Sequence, residues 1–407
     1  MPFIRFLKDN GRWLAAGALL TLVSSFGQTF FISVFAGQIR AEFGLSNGAW
    51  GGIYSVGTTL SAVVMVWAGG LTDVLRVRHL GALVMAGLAL ASLSMAFVNA
   101  VWALPFVIFA LRLTGQGMIS HIATVAMARW FVAARGKALA ISSLGFALGE
   151  ALLPVITVML MGVVYWRVLW VFAALVALLM IPVLTRLLRS ERTPASVADE
   201  SPSSGMGGRH WARRDTLGHW LFWAMAPAML APSAFVTALF FQQVHLAEVK
   251  GWSHAALVAL IPVYTATSVG AAMVFGWLID RFGSARLMPF YQWPLAAGFV
   301  LFSLSETLLG AGIAMAVMAL TQGGQSTLSS AFWAEFYGTR HLGGIKAMAA
   351  GIMVLGSAAG PAITGVMIDA GVNFDAQMIW IAGYILAASA LVAVAIARAR
   401  KMLPAAF

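Results

Sequence analysis

Twelve apolar runs partition this chain, and no other feature limits its fold as tightly. They fall near 13–38, 47–70, 80–99, 102–128, 137–163, 166–187, 217–245, 254–279, 287–305, 309–333, 344–368 and 376–397. Each is close to the ~20 residues that one helix needs to cross the hydrocarbon core of a bilayer. Short charged or Gly/Pro-marked turns separate them. A membrane β-barrel would instead show alternating segments of ~10 residues, and along a continuous apolar stretch only a helix satisfies its own backbone. With 61% of 407 residues hydrophobic and 10% charged, the chain also lacks the polar surface to enclose a soluble core. The expectation is an all-α membrane protein with twelve transmembrane helices, embedded in a lipid bilayer. The first run follows Arg5, Lys8 and Arg12 and is too long for a signal-peptide core, so it is read as retained.

The net charge of +11 raises the question of a nucleic-acid partner. Placed on the trial topology with the N-terminus inside, 21 of the 25 Lys and Arg residues fall on the cytoplasmic side. Only Arg40, Arg167 and Lys250 fall outside, and Arg112 lies within a helix. That asymmetry is the positive-inside pattern. The basic excess therefore reports orientation, with both termini cytoplasmic and no nucleic acid implied. Adding or removing one helix would scatter the charges, which supports the number twelve. The absence of cysteine removes disulfides, thiolate metal sites and cysteine nucleophiles together.

The one long polar segment, 188–216, is rich in Ser, Pro, Gly and charge and is expected not to pack. It divides the chain into a six-helix bundle over 1–187, a cytoplasmic linker over 188–216 and a second six-helix bundle over 217–407. The halves repeat. Gly69, Leu71 and Asp73 recur 207 residues later as Gly276, Leu278 and Asp280; Gly117 maps onto Gly324, Gly149 onto Gly356 and Pro154 onto Pro361 at the same offset. Duplicated bundles of this kind place a substrate site near the membrane midplane, between the halves.

The loop motifs resemble those of the major facilitator superfamily, whose signature between helices 2 and 3 reads G-x-x-x-D-R-x-G-R-R. The copy at Gly276, Asp280, Arg281, Gly283 and Arg286 fits with one residue inserted before its last Arg. The copy at Gly69, Asp73 and Arg78 is weaker, with Val74 and Arg76 where the family has Arg and Gly. RLTGQG, from Arg112 to Gly117, is similar to the family's R-x-x-x-Q-G element. GSAAGPAITG, from Gly356 to Gly365, resembles its glycine-rich GP motif, but Glu150 stands where the Pro of that motif would sit in helix 5. The WF-x-x-x-RG run from Trp130 to Gly136 resembles the monocarboxylate and oxalate:formate branch. The resemblance covers the whole chain. It implies two pseudo-symmetric six-helix bundles, and it implies that Gly69, Asp73, Arg78, Gly276, Asp280, Arg281 and Arg286 form gating latches. In such a latch each Asp meets a helix N-terminus and Arg groups of the opposite half when the protein faces outward. The plainer reading is a topogenic turn with a local ion pair, worth at most ~1 kcal/mol where exposed.

Several polar residues lie where lipid would penalise them. Arg112 is about ten residues into its helix, hence ~15 Å deep at 1.5 Å per residue. Gln116 is one turn further on the same face. Glu150 lies near the middle of the next helix, so a permanent Arg112–Glu150 pair that fixes packing is one reading. In the other, Arg112 anchors an anionic substrate and Glu150 carries a proton, its carboxyl pushed up by desolvation and down by a nearby Arg. Gln322, Gln325, Ser326 and Ser329 follow i, i+3, i+4, i+7 spacing and form one helical stripe. Family architecture places helices 1, 4, 7 and 10 around the cavity, to which Ser24, Ser25 and Gln28 of helix 1 belong; Tyr264 and Ser268 of helix 8 complete the wall. The amides lead as substrate contacts because each offers donors and an acceptor. Ser and Gln also bind helices together, so structural packing remains open for this set. His121 lies about 180° round its helix from Arg112 and reads as a core hydrogen-bonding residue. Gly145 with Gly149 and Gly356 with Gly360 mark close helix approaches.

No zincin, nucleophile-elbow or phosphate-loop motif occurs, so no enzymatic activity and no cofactor or metal are expected. The function expected is secondary active transport of a small organic anion, a monocarboxylate, by alternating access coupled to protons or a counter-substrate. The alternatives are proton-coupled efflux of hydrophobic compounds and, behind it, a non-transporting sensor. A multi-pass monomer in the inner or plasma membrane completes the expectation.

Overall fold

The computed structural model describes residues 2–131, 134–190 and 204–403. Every regular element in it is helical, and no strand occurs among the described residues. The chain divides into two compact units, Met1–Asp199 and Glu200–Phe407. Unit 1 contains α1 (the bent pair Arg5–Gly27 and Thr29–Phe43), α2 (Asn47–Ala68), α3 (Val77–Phe97), α4 (Val101–Trp130), α5 (Gly136–Met161) and α6 (Trp166–Leu187). Unit 2 contains α7 (Trp220–Phe241), α8 (His254–Phe282), α9 (Trp293–Leu304), α10 (Leu308–Tyr337), α11 (Leu342–Asp369) and α12 (Phe374–Met402). A short helix, Gln243–Lys250, continues α7 beyond Gln242.

Ten of these helices are long and apolar enough to cross a membrane, and eleven if the bent pair of α1 is one span. The apolar run at 287–305 falls short: α9 has only 12 residues, because 288–292 form turns. Pro289 and Pro294 explain the interruption, since neither donates a backbone hydrogen bond.

The same three pairings organise each unit. In unit 1, α1 packs along α5, α2 along α4 and α3 along α6; in unit 2, α7 packs along α11, α8 along α10 and α9 along α12. Glycine makes the first of these contacts close in both. A Cβ on Gly145 would meet the Ala18 carbonyl oxygen and one on Gly149 the Ser25 side chain; on Gly356 and Gly360 it would meet the carbonyl oxygens of Leu230 and Ala234. These are the glycine pairs whose four-residue spacing predicts close helix approach.

Part of the polar mid-segment does pack, contrary to the expectation from its composition. Met206 is 1% exposed and belongs to the core of unit 2 beside Phe222, Trp333 and Tyr337. The backbone N–H of Trp211 donates to the Tyr337 carbonyl at 3.3 Å. Gly205 lies so close to the backbone at 336–338 that a Cβ would collide with it. One Met and one Trp thus anchor a segment that is otherwise polar, and the overall hydropathy of the segment hides them. Residues 191–203 lie outside the described residues.

Candidate functional site

Helix α1 breaks at its centre, and its break meets an irregular stretch of α4. After Ser24 the chain tightens into a 3₁₀ turn, Ser25–Gly27, and Gln28 is extended at φ −86°, ψ 155° before helix resumes at Thr29. The two parts of α1 meet at 44°. Across from this break α4 runs as π-helix over Arg112–Ile119, the RLTGQGMI stretch. π-Helical turns are rare and cluster at functional positions. Gly27 and Gly115 permit the crossing: a Cβ on Gly27 would meet the Leu111 carbonyl oxygen, and one on Gly115 would meet the Gly27 Cα.

Arg112 points into this junction. It is 1% exposed. Its Nη1 donates to the Gly27 carbonyl at 3.3 Å and to Thr29 Oγ1 at 3.2 Å, so it captures a carbonyl at the helix break. Its guanidinium carbon stands 5.3 Å from the centroid of the Tyr54 ring, contributed by α2. The Tyr54 hydroxyl in turn lies 2.5 Å from Thr29 Oγ1. Nε and Nη2 of Arg112 make no hydrogen bond. The guanidinium therefore rests on a carbonyl, a hydroxyl and an aromatic face, with no carboxylate among its hydrogen-bonding partners. A cation at the bilayer centre costs about 2.5–3.5 kcal/mol on insertion scales, and neutral acceptors offset that less than an anion does.

The other expected substrate residues divide. Gln28 is 8% exposed and forms the break itself. Gln116 is half-buried within the π-helical stretch, one turn from Arg112. Glu150 is 8% exposed on α5, beside the Gly149 contact with Ser25. Ser24 and Ser25 are fully buried, and Ser24 Oγ donates back to the Thr21 carbonyl at 2.7 Å. In unit 2, Tyr264 is fully buried against the Phe240 ring, with centroids 5.4 Å apart. Gln325 is 8% exposed whereas Gln322 is exposed, so these two members of the stripe differ in environment. The Ser326 side chain lies outside the described residues.

The gating motifs sit where helices end. Gly69 caps α2 and lies against the His121 ring. Arg129, at the end of α4, donates from Nη1 to the Thr72 carbonyl at 2.6 Å, tying that loop down. Arg78 is half-buried, and the Asp73 side chain lies outside the described residues. In unit 2, Gly276 is half-buried on α8 and Asp280, Arg281 and Arg286 are exposed. Arg281 lies over the Trp277 ring at 5.4 Å. Gly283, at φ 76°, ends α8 in a conformation that favours glycine. Ser284 hydrogen-bonds Glu335 at the end of α10.

Sequence reasoning missed Thr29 and Tyr54. Both are ordinary residues in apolar surroundings. A signal existed in the helix-breaking SSFGQT run at 24–29, whose small and polar residues interrupt the first span.

Comparison with known proteins fits this architecture. The sequence profile of the Major Facilitator Superfamily matches residues 17–306. No curated protein matches the chain in sequence. Among solved structures, a bacterial homolog of the human lysosomal transporter Spinster, inward-facing and unoccupied, is similar with a TM-score of 0.75 at 15% identity, covering 98% of this chain and 99% of that one. The same homolog in its inward-facing occupied form gives 0.70 at 14% identity, with 99% and 98% covered. A point mutant of the nucleoside transporter NupG gives 0.67 at 12% identity, with 96% and 100% covered. With the profile matched over most of its length and the transporter fold shared over nearly all of it, the chain belongs to the Major Facilitator Superfamily and is a membrane transporter rather than an enzyme.

Proposed function

We propose that this transporter moves a small organic anion, in the first instance a monocarboxylate, by alternating access coupled to protons or a counter-substrate. One observation carries the reading: Arg112 is a fully buried cation with two hydrogen-bond-free nitrogens and only neutral partners. A carboxylate supplies the two acceptor oxygens and the charge that such a guanidinium lacks. In this reading Gln28 and Gln116 of unit 1 and Tyr264, Gln322 and Gln325 of unit 2 contact the cargo. Glu150 carries the coupled proton. The loops bearing Gly69, Asp73 and Arg78, and Gly276, Asp280, Arg281 and Arg286, act as latches on the cytoplasmic side, where both termini also lie. The protein works as a monomer in an inner or plasma membrane.

The test is uptake into proteoliposomes of a panel of radiolabelled carboxylates with and without an imposed pH gradient. Arg112→Ala is expected to lower uptake by about 10- to 100-fold and Arg112→Lys to retain more of it. Normal folding with unchanged anion uptake in Arg112→Ala removes the anchor. Unaltered pH-driven uptake in Glu150→Gln removes the proton role.

A second reading is proton-coupled efflux of a hydrophobic compound. It is favoured by an open apolar groove of about 280 Å³ between α1, α5 and α6, lined by Phe26, Phe31, Leu153, the exposed Phe172 and other apolar side chains, with Thr157 its only polar residue. In that case the panel gives no uptake, and apolar dyes accumulate in a pH-dependent way instead.

A further inference from the structure

Both units tie three helix ends together in the same way, with the charges exchanged. At the end of unit 1 where α1 finishes and α6 begins, Arg167 Nη2 and Nε donate to Glu42 Oε1 at 2.6 and 3.1 Å. The Tyr165 hydroxyl and Trp166 Nε1 donate to the other carboxylate oxygen, each at 2.9 Å. Arg167 Nη1 also donates to the Ala96 carbonyl at 2.9 Å. That carbonyl lies in the last turn of α3, where no partner exists within the helix. At the matching end of unit 2, Lys250 Nζ donates to the Ser303 carbonyl in the last turn of α9 at 2.7 Å. The same Nζ lies 3.4 Å from Asp375 Oδ2 in the first turn of α12.

The three points coincide in the repeat. Lys250 follows Glu42 by 208 residues, Asp375 follows Arg167 by 208, and Ser303 follows Ala96 by 207. The signs do not coincide: unit 1 has its acid on α1 and its base on α6, whereas unit 2 has its base at the end of α7 and its acid on α12. The contact recurs although the residues that make it do not. In each case the base is the more buried member, with side-chain exposure of 15% for Arg167 and 12% for Lys250 against 35% and 24% for the carboxylates. It also does two jobs, capping a helix and holding an acid.

The segments so tied lie beyond interruptions. Residues 29–43 follow the break at Gln28, and Gln243–Lys250 follows Gln242. A helical segment joined to its parent through one non-helical residue swings about that residue unless its far end is held. We propose that Glu42–Arg167 and Lys250–Asp375 are positioning pairs that hold these two segments against α3 and α6, and against α9 and α12, so that each set of three helix ends moves as one body during transport. In unit 1 the held segment begins with Thr29, the hydroxyl on which Arg112 rests.

The absence of cysteine makes the test direct. Cysteines at exposed Ala41 and Val168 take spin labels in unit 1, and cysteines at exposed Glu248 and Ala376 do so in unit 2. Distance distributions are read by double electron–electron resonance in lipid nanodiscs, with no cargo added. Arg167→Gln is expected to broaden the unit 1 distribution and leave unit 2 unchanged, and Lys250→Gln to do the reverse. Glu42→Gln and Asp375→Asn broaden less, since each leaves the helix cap in place. The exchanged variant Glu42→Lys with Arg167→Asp, which gives unit 1 the sign order of unit 2, is expected to restore the narrow distribution; if it does not fold, Arg167→Lys serves as the rescuing variant. A parental distribution in Arg167→Gln overturns the proposal, and so does failure of whichever rescuing variant folds. No cargo enters the readout, so the outcome is independent of the anion reading.

Discussion

Unit 1 and unit 2 share their helix pairings and their glycine contacts, yet they treat an interrupted helix differently. In unit 1 the break in α1 is met by a charged donor, Arg112, bonded to the Gly27 carbonyl. In unit 2 the interruption after α7 falls at Gln242, whose own Nε2 donates to the Pro361 carbonyl at 3.3 Å and to Thr364 Oγ1 at 3.1 Å. Both solutions bring a long donor side chain to a backbone carbonyl. Only the first leaves a buried charge without a counter-charge. The position 207 residues after Arg112 is Ala319, a fully buried packing residue. The duplicated scaffold needs polar satisfaction at an interrupted helix in either half, but it does not need a cation, and that is why Arg112 is the residue to explain by function.

The comparison is broken most forcefully by filling the α1–α4 crossing. Gly115→Leu places a side chain against the Gly27 backbone, which cannot give way, and is expected to destabilise unit 1 by about 3 kcal/mol, the upper end of overpacking effects. Gln322→Leu, at the equivalent place in unit 2, is expected to change stability by less than about 0.5 kcal/mol, as exposed substitutions do. Thermal melting in detergent followed by gel filtration compares the two; equal losses would show that the crossing is not the special contact of unit 1. Next in size is the charge itself. Arg112→Ala is expected to lower carboxylate uptake by about 10- to 100-fold, the loss of a charge-assisted pair at ~1.5–3 kcal/mol. Ala319→Ser, which leaves unit 2 without a charge, is expected to change uptake by less than about twofold. Smaller again is Tyr54→Phe, which keeps the aromatic face under Arg112 and removes the hydroxyl beside Thr29. Its half-saturation concentration is expected to rise about fivefold, the worth of one neutral hydrogen bond; no change would take Tyr54 out of the site.

Much of this was legible in the residues. The helical class, the repeat and the burial of a charge at Arg112 follow from hydropathy, spacing and the expense of charge in lipid, whereas the open choice between a Glu150 partner and an anionic cargo does not resolve in the residues alone. The partners of Arg112 do not follow either, because Thr29 and Tyr54 acquire their roles from a crossing of backbones that the two glycines permit and spacing alone does not reveal. The run at 287–305 holds a helix of only 12 residues for a related reason: hydropathy counts apolar residues and is blind to the missing N–H groups of Pro289 and Pro294. The ties at the helix ends also have a trace in the sequence. Of the three basic residues that the expected topology places outside, Arg167 and Lys250 hold carboxylates.

The smallest expected effect separates the units by pH. His219 stands before α7 with Nδ1 3.1 Å from the Tyr337 hydroxyl, its ring 4.6 Å from that of Trp211. Burial, and then the charge of Arg209, hold its pKa below the usual histidine range. The native state therefore keeps this ring neutral where the unfolded chain, with an ordinary pKa near ~6.5, accepts a proton. Stability linked to His219 is present in full above that value and declines as the pH falls through it toward the lower native pKa. Because the ring is only partly buried, the change is small, about 1 °C in melting temperature. Hydrogen exchange resolves it better than melting does: amides of the docked segment 204–222 are expected to lose protection between pH 7.5 and pH 5, after correction for intrinsic rates. His219→Gln keeps a hydrogen-bonding side chain at the Tyr337 hydroxyl and is expected to remove that pH dependence. A pH response that persists in His219→Gln would assign the titration to another group and leave the docking of the segment independent of this histidine.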